Sequence, residues 1–543
     1  MKINNIIYKG TLLAASVAML VSCSDFLDTM PDNRTTMDEP SKIAGLLVTA
    51  YPQTSNVLIN ELMSDNMDYM GPRNSLGDRE GDQMFFWQED KINGNDSPDH
   101  IWSRHYNCIE QANQALASIE ELGGAKTEEL QNTKGEALLL RAYNSFLLVN
   151  EFSMAYNSKT SDKDMGVYYS TSPESLTEIQ TQTNRGTVAS VYEMIAKDIE
   201  AGIPLINDNY KVPKYHFNKK AAYAFATRFY LYYEKWDKAK EYADKLLGSN
   251  PGAYLRDYRA LQAIPLSTSD QAVKIAEAYK IAEAYCNASL DCNLLIQTSV
   301  SNAGFALGPW VYYKRYSHTN YLSETECIKS DNIWGGTNTI IWRPFTVNQG
   351  EANFALKMCI PLEFEVTNQA TGTGYRRALN VSFSMGEALL NRAEAEIMLG
   401  QNDAACADMT IWMKNYFNTT KTLTPTSVKT FFEGVRYAYD DTDKLVPSMK
   451  KHLHPRFTID KEGSVQEALL QCVLNLRRVE TLHQGLRWFD IKRYNIEIPR
   501  RLIGSDGKPS KNLDWLKVDD PRQAVQIPQS AHEAGVALNP RNN

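Results

Sequence analysis

Two carboxylates and a histidine lie close together in "LRRVETLHQGLRWFDIKRY", Leu476 to Tyr494. Glu480, His483 and Asp490 are set among Arg477, Arg478, Arg487, Lys492 and Arg493, around Trp488 and Phe489. Carboxylates flanking an imidazole are the raw material of general acid–base catalysis. Glycoside hydrolysis needs only two carboxylates about 5–9 Å apart. The same residue types also make a salt-bridged corner. With five cations at hand, both carboxylates are expected to be ionised and paired with arginines, the wrong state for a general acid. Leu476, Val479 and Leu482/His483 keep a helical period, and Gly485 is placed to end that helix with positive φ. Trp488 and Phe489 then pack the following segment onto the body. The expectation is a corner that locks the last helices to the scaffold.

The rest of the chain holds no catalytic motif of the HExxH, GxSxG or Walker type. His452 and His454 face one side only if "KHLHP" is extended, and a lone HxH reads as a loop. The acidic run at 440–443, "DDTD", lacks the alternating ligands and terminal glutamate of a calcium loop. Eight cysteines include no CxxC pair, so neither a zinc site nor a disulfide framework is expected. Cys108, Cys406 and Cys472 fall in helical patterns and read as small apolar packing residues, while a Cys286–Cys292 bridge stays open. No metal and no cofactor is expected.

The elements that must position these residues are mostly helical. The 543 residues are 43% hydrophobic and 10% aromatic, enough for a large folded core. A net charge of −8 argues against a general nucleic-acid binder. Lys2 and Lys9 precede an apolar run from Thr11 to Val21, too short to span a bilayer comfortably. It ends Leu20-Val21-Ser22-Cys23, which resembles a bacterial lipoprotein cleavage site with Cys23 as the acylated residue. Residues 1–22 are therefore read as a lipoprotein signal peptide and 23–40 as a lipidated tether. Residues 41–543 are read as one domain. Helical pairs are expected near 101–152, 187–248, 383–417 and 465–495. "WDKAKEYADKLL" and "NDAACADMTIWM" align Asp237 with Asp403 and Ala239 with Ala405, as in tetratricopeptide units. Segments 62–100 and 300–380 break this pattern with Gly, Asn, Thr and aromatics, and short strands are expected at 338–342 and 356–360.

Several motifs in order carry a resemblance to a known family. "CSDFLDTMPDN" after the lipobox, "WSRHYNCIEQANQAL", "KGEALLLRAYNSFLLVNEF", "RRVETLHQGLRWFDIKRY" and "DDPRQAVQIPQSAHEAGVALNP" together resemble the SusD/RagB family of Bacteroidetes outer-membrane lipoproteins. The resemblance implies a mostly α, SusD-like fold: a tetratricopeptide-like helix-pair scaffold with an irregular, loop-rich ligand face. It implies a non-enzymatic, surface-exposed lipoprotein, lipid-anchored in the cell outer membrane through Cys23. Such a protein binds nutrients, usually oligosaccharides and sometimes peptides. It passes them to a partner SusC-like TonB-dependent transporter. A glycoside hydrolase is the alternative outside the family. One position departs from the family: where a Glu commonly precedes the motif glycine, this chain has His483-Gln484-Gly485.

The family's binding residues tend to come from an early and a middle loop, which match 62–100 and 300–345 here. Sugar recognition needs flat aromatic faces for C–H bonds and polar groups for hydroxyls. These segments offer Trp87, Tyr69, Trp310, Tyr312, Tyr313, Trp334 and Trp342, with Asp65, Asn66, Arg73, Asn332 and Arg343 nearby. Phe85-Phe86-Trp87 reads as a loop anchor. Trp334, beside Gly335-Gly336, is expected at an exposed loop tip.

Overall fold

Small residues at helical spacing let antiparallel helices approach closely, and that is how most of this chain folds. The computed structural model describes residues 37–71, 79–91, 94–174, 183–265, 280–301, 315–342, 345–349, 352–356, 362–439 and 445–541. The signal-peptide and tether assignments for 1–36 lie outside them. In chain order come α1 (Pro40–Leu47), α2 (Val57–Met63), β1 (Asp68–Tyr69), α3 (Arg79–Phe85), α4 (Pro98–Glu121), α5 (Glu128–Phe152) and α6 (Val188–Gly202). Next are α7 (Lys219–Tyr232), α8 (Trp236–Leu247), α9 (Tyr258–Ala263), β2 (Asn293–Ser299), β3 (Tyr316–Ser317) and α10 (Asn320–Glu326). Strands β4 (Phe345–Gln349), β5 (Ala352–Leu356), β6 (Leu362–Asn368) and β7 (Thr373–Ser384) lead into α11 (Met385–Met398) and α12 (Asn402–Tyr416). The chain closes with α13 (Pro425–Glu433), α14 (Val465–Glu480), α15 (Arg487–Tyr494), β8 (Ile498–Ile503), β9 (Pro509–Leu516) and α16 (Gln529–Glu533).

Local chemistry sets the helix ends. Ser97, Thr127, Asn218, Ser384 and Ser464 each cap a helix by accepting a backbone N–H, and Pro98 starts α4 where no donor is needed. Helix α4 turns back onto α5 through Gly123 and Gly124, with φ of +88° and +92°. The pairs α4/α5, α7/α8 and α11/α12 pack within themselves, and α8 and α14 both pack on α11. Ala222, Ala226, Ala239, Ala243 and Ala405 are fully buried at these seams. Between the pairs, Tyr143, Phe146, Phe225, Phe229 and Phe383 form a continuous ring cluster with centroids 5.4–6.4 Å apart. The fold is the mostly α, helix-paired class expected from the sequence.

The middle of the chain is more regular than its composition suggests. Strands β2, β7 and β6 form an antiparallel sheet, and β4 pairs with β5 in a hairpin. Leu362, Phe364 and Val366 alternate with Glu363, Glu365 and Thr367, the two-residue period of a strand. The strand expected at 338–342 is instead a 3-10 turn at Thr337–Thr339 followed by a single bridge from Ile340 to Phe417. Of 356–360, only Leu356 is described, at the end of β5.

Candidate ligand-binding face

The two loop-rich segments meet through their backbones. Strand β1 pairs antiparallel with β3, Asp68 opposite Ser317 and Tyr69 opposite Tyr316, and its other edge pairs in parallel with β8. Burial of charge holds this junction. Arg501 donates to Asp68 at 2.8 Å and to Glu326 at 2.5 Å, and Lys451 reaches Glu326 at 2.5 Å. Burial pushes the Glu326 carboxyl up, but Lys451, Arg501 and Arg478 outweigh it and hold it at about 2. Asp65 is treated alike: burial opposes its ionisation, yet Arg478 and Arg487 keep it well below the usual carboxylate range. The C-terminal carbonyls of α2 are met by Arg500, which donates to Leu62, Met63 and Ser64 while its plane lies 3.7 Å from the Trp87 ring.

Above this buried layer lies a mixed aromatic and polar surface. Tyr69 and Phe86 are half-buried, with ring centroids 5.7 Å apart, and both pack on the buried Phe85. Beside them Arg315 donates to Asp82 at 2.6 Å, with side chains 26% and 34% exposed. Tyr316 also donates to Asp82. An open groove with about 890 Å³ of empty volume runs on from Phe86 past Gln88, Glu89 and Lys91 to Asp514 and Arg522. Such a surface offers ring faces for C–H contacts and hydrogen-bond donors and acceptors beside them.

The residues picked from sequence divide sharply. Tyr69 lies on this face. Trp87 is 5% exposed and donates its indole N–H to the Met63 carbonyl at 2.9 Å, so it anchors the loop. Asn66 and Asp65 are buried: Asn66 binds Glu61 and Arg478, and Asp65 binds Arg487 at 2.8 and 2.9 Å. They brace the junction and present nothing outward. Trp334 corrects the expected exposed loop tip. The tight Asn332–Gly335 turn folds its indole inward, where it is 1% exposed and stacked on Phe417 at 4.5 Å. Trp342 is likewise covered, against Tyr258 and Tyr285, and Asn332 is buried. Arg73, Trp310, Tyr312, Tyr313 and Arg343 lie outside the described residues, as does Cys23. Asp82, Arg315, Gln88 and Arg522 were missed, because Gly81 disguises α3 and the other three carry no local pattern.

The Leu476–Tyr494 stretch is buried throughout its charged residues. Arg477 binds Asp490 at 2.8 Å and also Glu394, while Arg493 and Tyr494 bind Glu394 at 2.5 and 2.7 Å. Burial opposes ionisation of Glu394, but the two arginines and their hydrogen bonds hold it at about 2. Arg478 and Arg487 reach instead to the 62–70 segment. Glu480 lies within the charge field of Arg256, from a distant element, and takes its hydrogen bonds from afar as well. Tyr258, Ser384 and Trp412, all neutral donors from distant elements, bond to it at 3.0–3.1 Å. His483 has positive φ and its ring meets His318 5.5 Å away; burial pushes His318 down to about 3. Cys286 and Cys292 are separate buried thiols, bonded to Leu379 and Asn293. His452 and His454 do lie parallel on one side, 6.2 Å apart, but no group of three metal-ligating side chains occurs among the described residues.

Among the described residues no helix is long and apolar enough to cross a membrane. None of the curated proteins matches this sequence. Solved structures show the same fold at low identity. A SusD superfamily protein from Bacteroides thetaiotaomicron VPI-5482 superposes with a TM-score of 0.60 at 19% identity, covering 93% of this chain and 100% of the other. A SusD-like carbohydrate binding protein from Bacteroides vulgatus ATCC 8482 gives 0.56 at 16%, covering 92% and 97%. A laminarin binding SusD-like protein gives 0.51 at 15%, covering 92% and 98%. Two family models match in sequence: "Starch-binding associating with outer membrane" over residues 25–231 and "SusD family" over 331–534. The first spans the α4/α5 pair and strand β1, and the second spans α11, α12 and the buried corner, so with the fold they agree that this chain belongs to the SusD/RagB family.

Proposed function

We propose that this protein captures oligosaccharides on the β1–β3 face and delivers them to a SusC-like TonB-dependent transporter, while lipid on Cys23 anchors it at the outside of the outer membrane. The observation that carries the reading is the β1–β3 pairing. It brings two distant segments together and sets half-buried rings beside an Asp82–Arg315 pair and a long open groove. A sugar ring laid on Tyr69 and Phe86 gains stacking worth about 1 kcal/mol beyond area burial. Arg315 and Gln88 donate to hydroxyl oxygens, and Asp82 and Glu89 accept from hydroxyl protons. The relatives named as carbohydrate- and laminarin-binding support a glycan as ligand. The description "associating with outer membrane" supports the location.

Affinity electrophoresis and calorimetry of the full chain in detergent, against a panel of neutral oligosaccharides, test the reading. Retention of at least one oligosaccharide with its length unchanged is expected. Shortened products would make the protein a hydrolase. Co-purification with a TonB-dependent transporter, and loss of acyl label in Cys23→Ser, test the partner and the anchor.

A further inference from the structure

A second cleft opens elsewhere, between residues 52–60, the β2–β7 ladder and the 483–486 turn. Counted with the solvent at its open mouth, it holds about 830 Å³ of empty space. It shares no lining residue with the β1–β3 face. Its polar wall is mainly amide and hydroxyl, Asn60, Gln297, Asn380, Ser382, Gln484 and Thr54, with Arg228 and the His483 imidazole beside them. Its apolar wall includes Val381, Leu486 and Phe489. Gly485 builds the edge: a Cβ there would sit 2.9 Å from the Val57 Cα, so only glycine lets the turn approach α2 so closely.

The charges around this cleft are already engaged. Arg228 donates to both oxygens of Glu387, at 2.7 and 2.6 Å, and to the Ser382 carbonyl. Among the described residues no carboxylate lines it. Three polar atoms are left over: Thr54 Oγ1, Asn60 Oδ1 and Gln297 Nε2 are buried without a hydrogen-bond partner. Thr54 and Asn60 are 5% and 1% exposed. The Gln297 amide is fixed in direction, since its Oε1 accepts from Ser382 at 2.5 Å and Tyr143 at 3.3 Å, leaving Nε2 as the spare donor. A buried polar atom left without a partner has lost its water and gained nothing in return until something bonds to it. A ligand suited to this cleft supplies several hydroxyls, one apolar face and no charge.

We propose that the cleft is a second ligand site that takes a single neutral pyranose ring, independent of the β1–β3 face. Vicinal hydroxyls meet Gln297 Nε2, Asn60 Oδ1 and the Asn380 amide, and the ring's C–H face lies toward Leu486 and Phe489. An anion finds no uncommitted cation there, and an apolar molecule would leave the three orphan atoms unmet.

The test is saturation-transfer NMR on the full chain in detergent, with methyl glucoside, methyl galactoside and methyl mannoside as probes and glucuronate as the charged comparison. At least one neutral glycoside is expected to bind saturably and more tightly than glucuronate. Gln297→Leu and Asn380→Ala are each expected to weaken it about five- to tenfold, the loss of one hydrogen bond. Melting curves confirm that the variants fold; if Gln297→Leu does not, the half-exposed Asn380→Ala decides alone. Absence of binding by every neutral glycoside, equal or better binding of glucuronate, or unchanged affinity in the folded variants overturns the proposal. A loss caused by Phe86→Ala but not by the cleft variants would assign the sugar to the β1–β3 face and overturn it too. Oligosaccharide capture on that face stands or falls separately, by its own retention assay.

Discussion

The α14–α15 corner and the β1–β3 face are built from the same side-chain types, yet they differ in what solvent does to them. In the corner, the Arg477–Asp490 pair has side chains 3% and 1% exposed. On the face, Arg315 and Asp82 are 26% and 34% exposed. A buried pair adds little net stability once its desolvation is counted but is expensive to break, because removing one partner strands the other in a low-dielectric interior. A half-exposed pair contributes little to stability and can exchange protein partners for a ligand's hydroxyls. A dense cluster of charge in the sequence therefore marks the buried corner here, and the sparser charges beside aromatic rings mark the face proposed to take a ligand.

The sharpest way to break this contrast is to empty the centre of the corner. Glu394 accepts from Arg477, Arg493 and Tyr494. Glu394→Ala leaves the buried Arg477 and Arg493 guanidinium groups with Asp490 alone between them, and a loss of about 3–5 kcal/mol in urea unfolding is expected. Oligosaccharide affinity of the protein that remains folded should not change. A stability loss under 1 kcal/mol would mean that the corner is not the frame. Asp490→Asn should act in the same direction and less strongly, since Arg477 and Arg493 keep Glu394.

The next effect separates the two regions by pH. Burial, opposed by hydrogen bonds from the Gly485 N–H and Asn66, pushes Glu61 from its ordinary 4.5 to about 7. An acid raised in the folded state takes up a proton on folding. Its contribution is therefore full below pH 4.5 and is lost as pH rises to about 7, a fall of roughly 3 kcal/mol. Glu326, held at about 2, works the other way: its contribution is present above pH 4.5 and is lost as pH falls toward 2. Unfolding measured at pH 5 and pH 7 should show Glu61→Gln shrinking the decline between them by roughly 2–3 kcal/mol. An unchanged decline would show that Glu61 titrates normally.

A backbone change tests the turn that the corner holds. Gly485 has φ of +74°, and an added Cβ would lie 2.9 Å from the Val57 Cα. Gly485→Ala should cost about 1–3 kcal/mol through positive φ and that contact together. Gly463→Ala is the comparison, because φ is +77° there but nothing lies within 4 Å of the new Cβ. It should cost about 1 kcal/mol or less. Equal losses at the two sites would show that conformation alone matters and that the close approach to α2 does not.

How much of this was legible in the sequence follows from range. Helix pairs announce themselves locally: Ala239 and Ala405, the capping serines and the glycine turns all act within a few residues of where they are read. The corner's partners were legible for Asp490, whose arginines are sequence neighbours, and not for Glu480, whose hydrogen-bond donors come from residues 258, 384 and 412. Ligand residues were the least legible. A tryptophan beside two glycines looks the same whether the turn throws its ring outward or tucks it inward, and Trp334 is tucked against Phe417, 83 positions away. The β1–β3 pairing joins segments nearly 250 positions apart, which no local pattern can announce.

The smallest expected effect on stability is the most informative about function. Phe86 is half-buried at the head of the groove, and its ring touches Tyr69 and Phe85. Phe86→Ala removes one stacking surface of about 1 kcal/mol for a ligand, so oligosaccharide affinity should fall about fivefold in calorimetry. Its partial exposure leaves little packing to lose, and the melting temperature should move by only a few degrees. Asp82→Asn should lower affinity by a similar factor, because it weakens both the acceptor and the hold on Arg315 and Tyr316. The pair of variants then sharpens the contrast with Glu394→Ala: one region loses binding and keeps its fold, while the other loses its fold and keeps its binding. If Phe86→Ala left affinity untouched while Asp82→Asn abolished it, the face would recognise its ligand by hydrogen bonding alone. The aromatic platform would then be packing and nothing more.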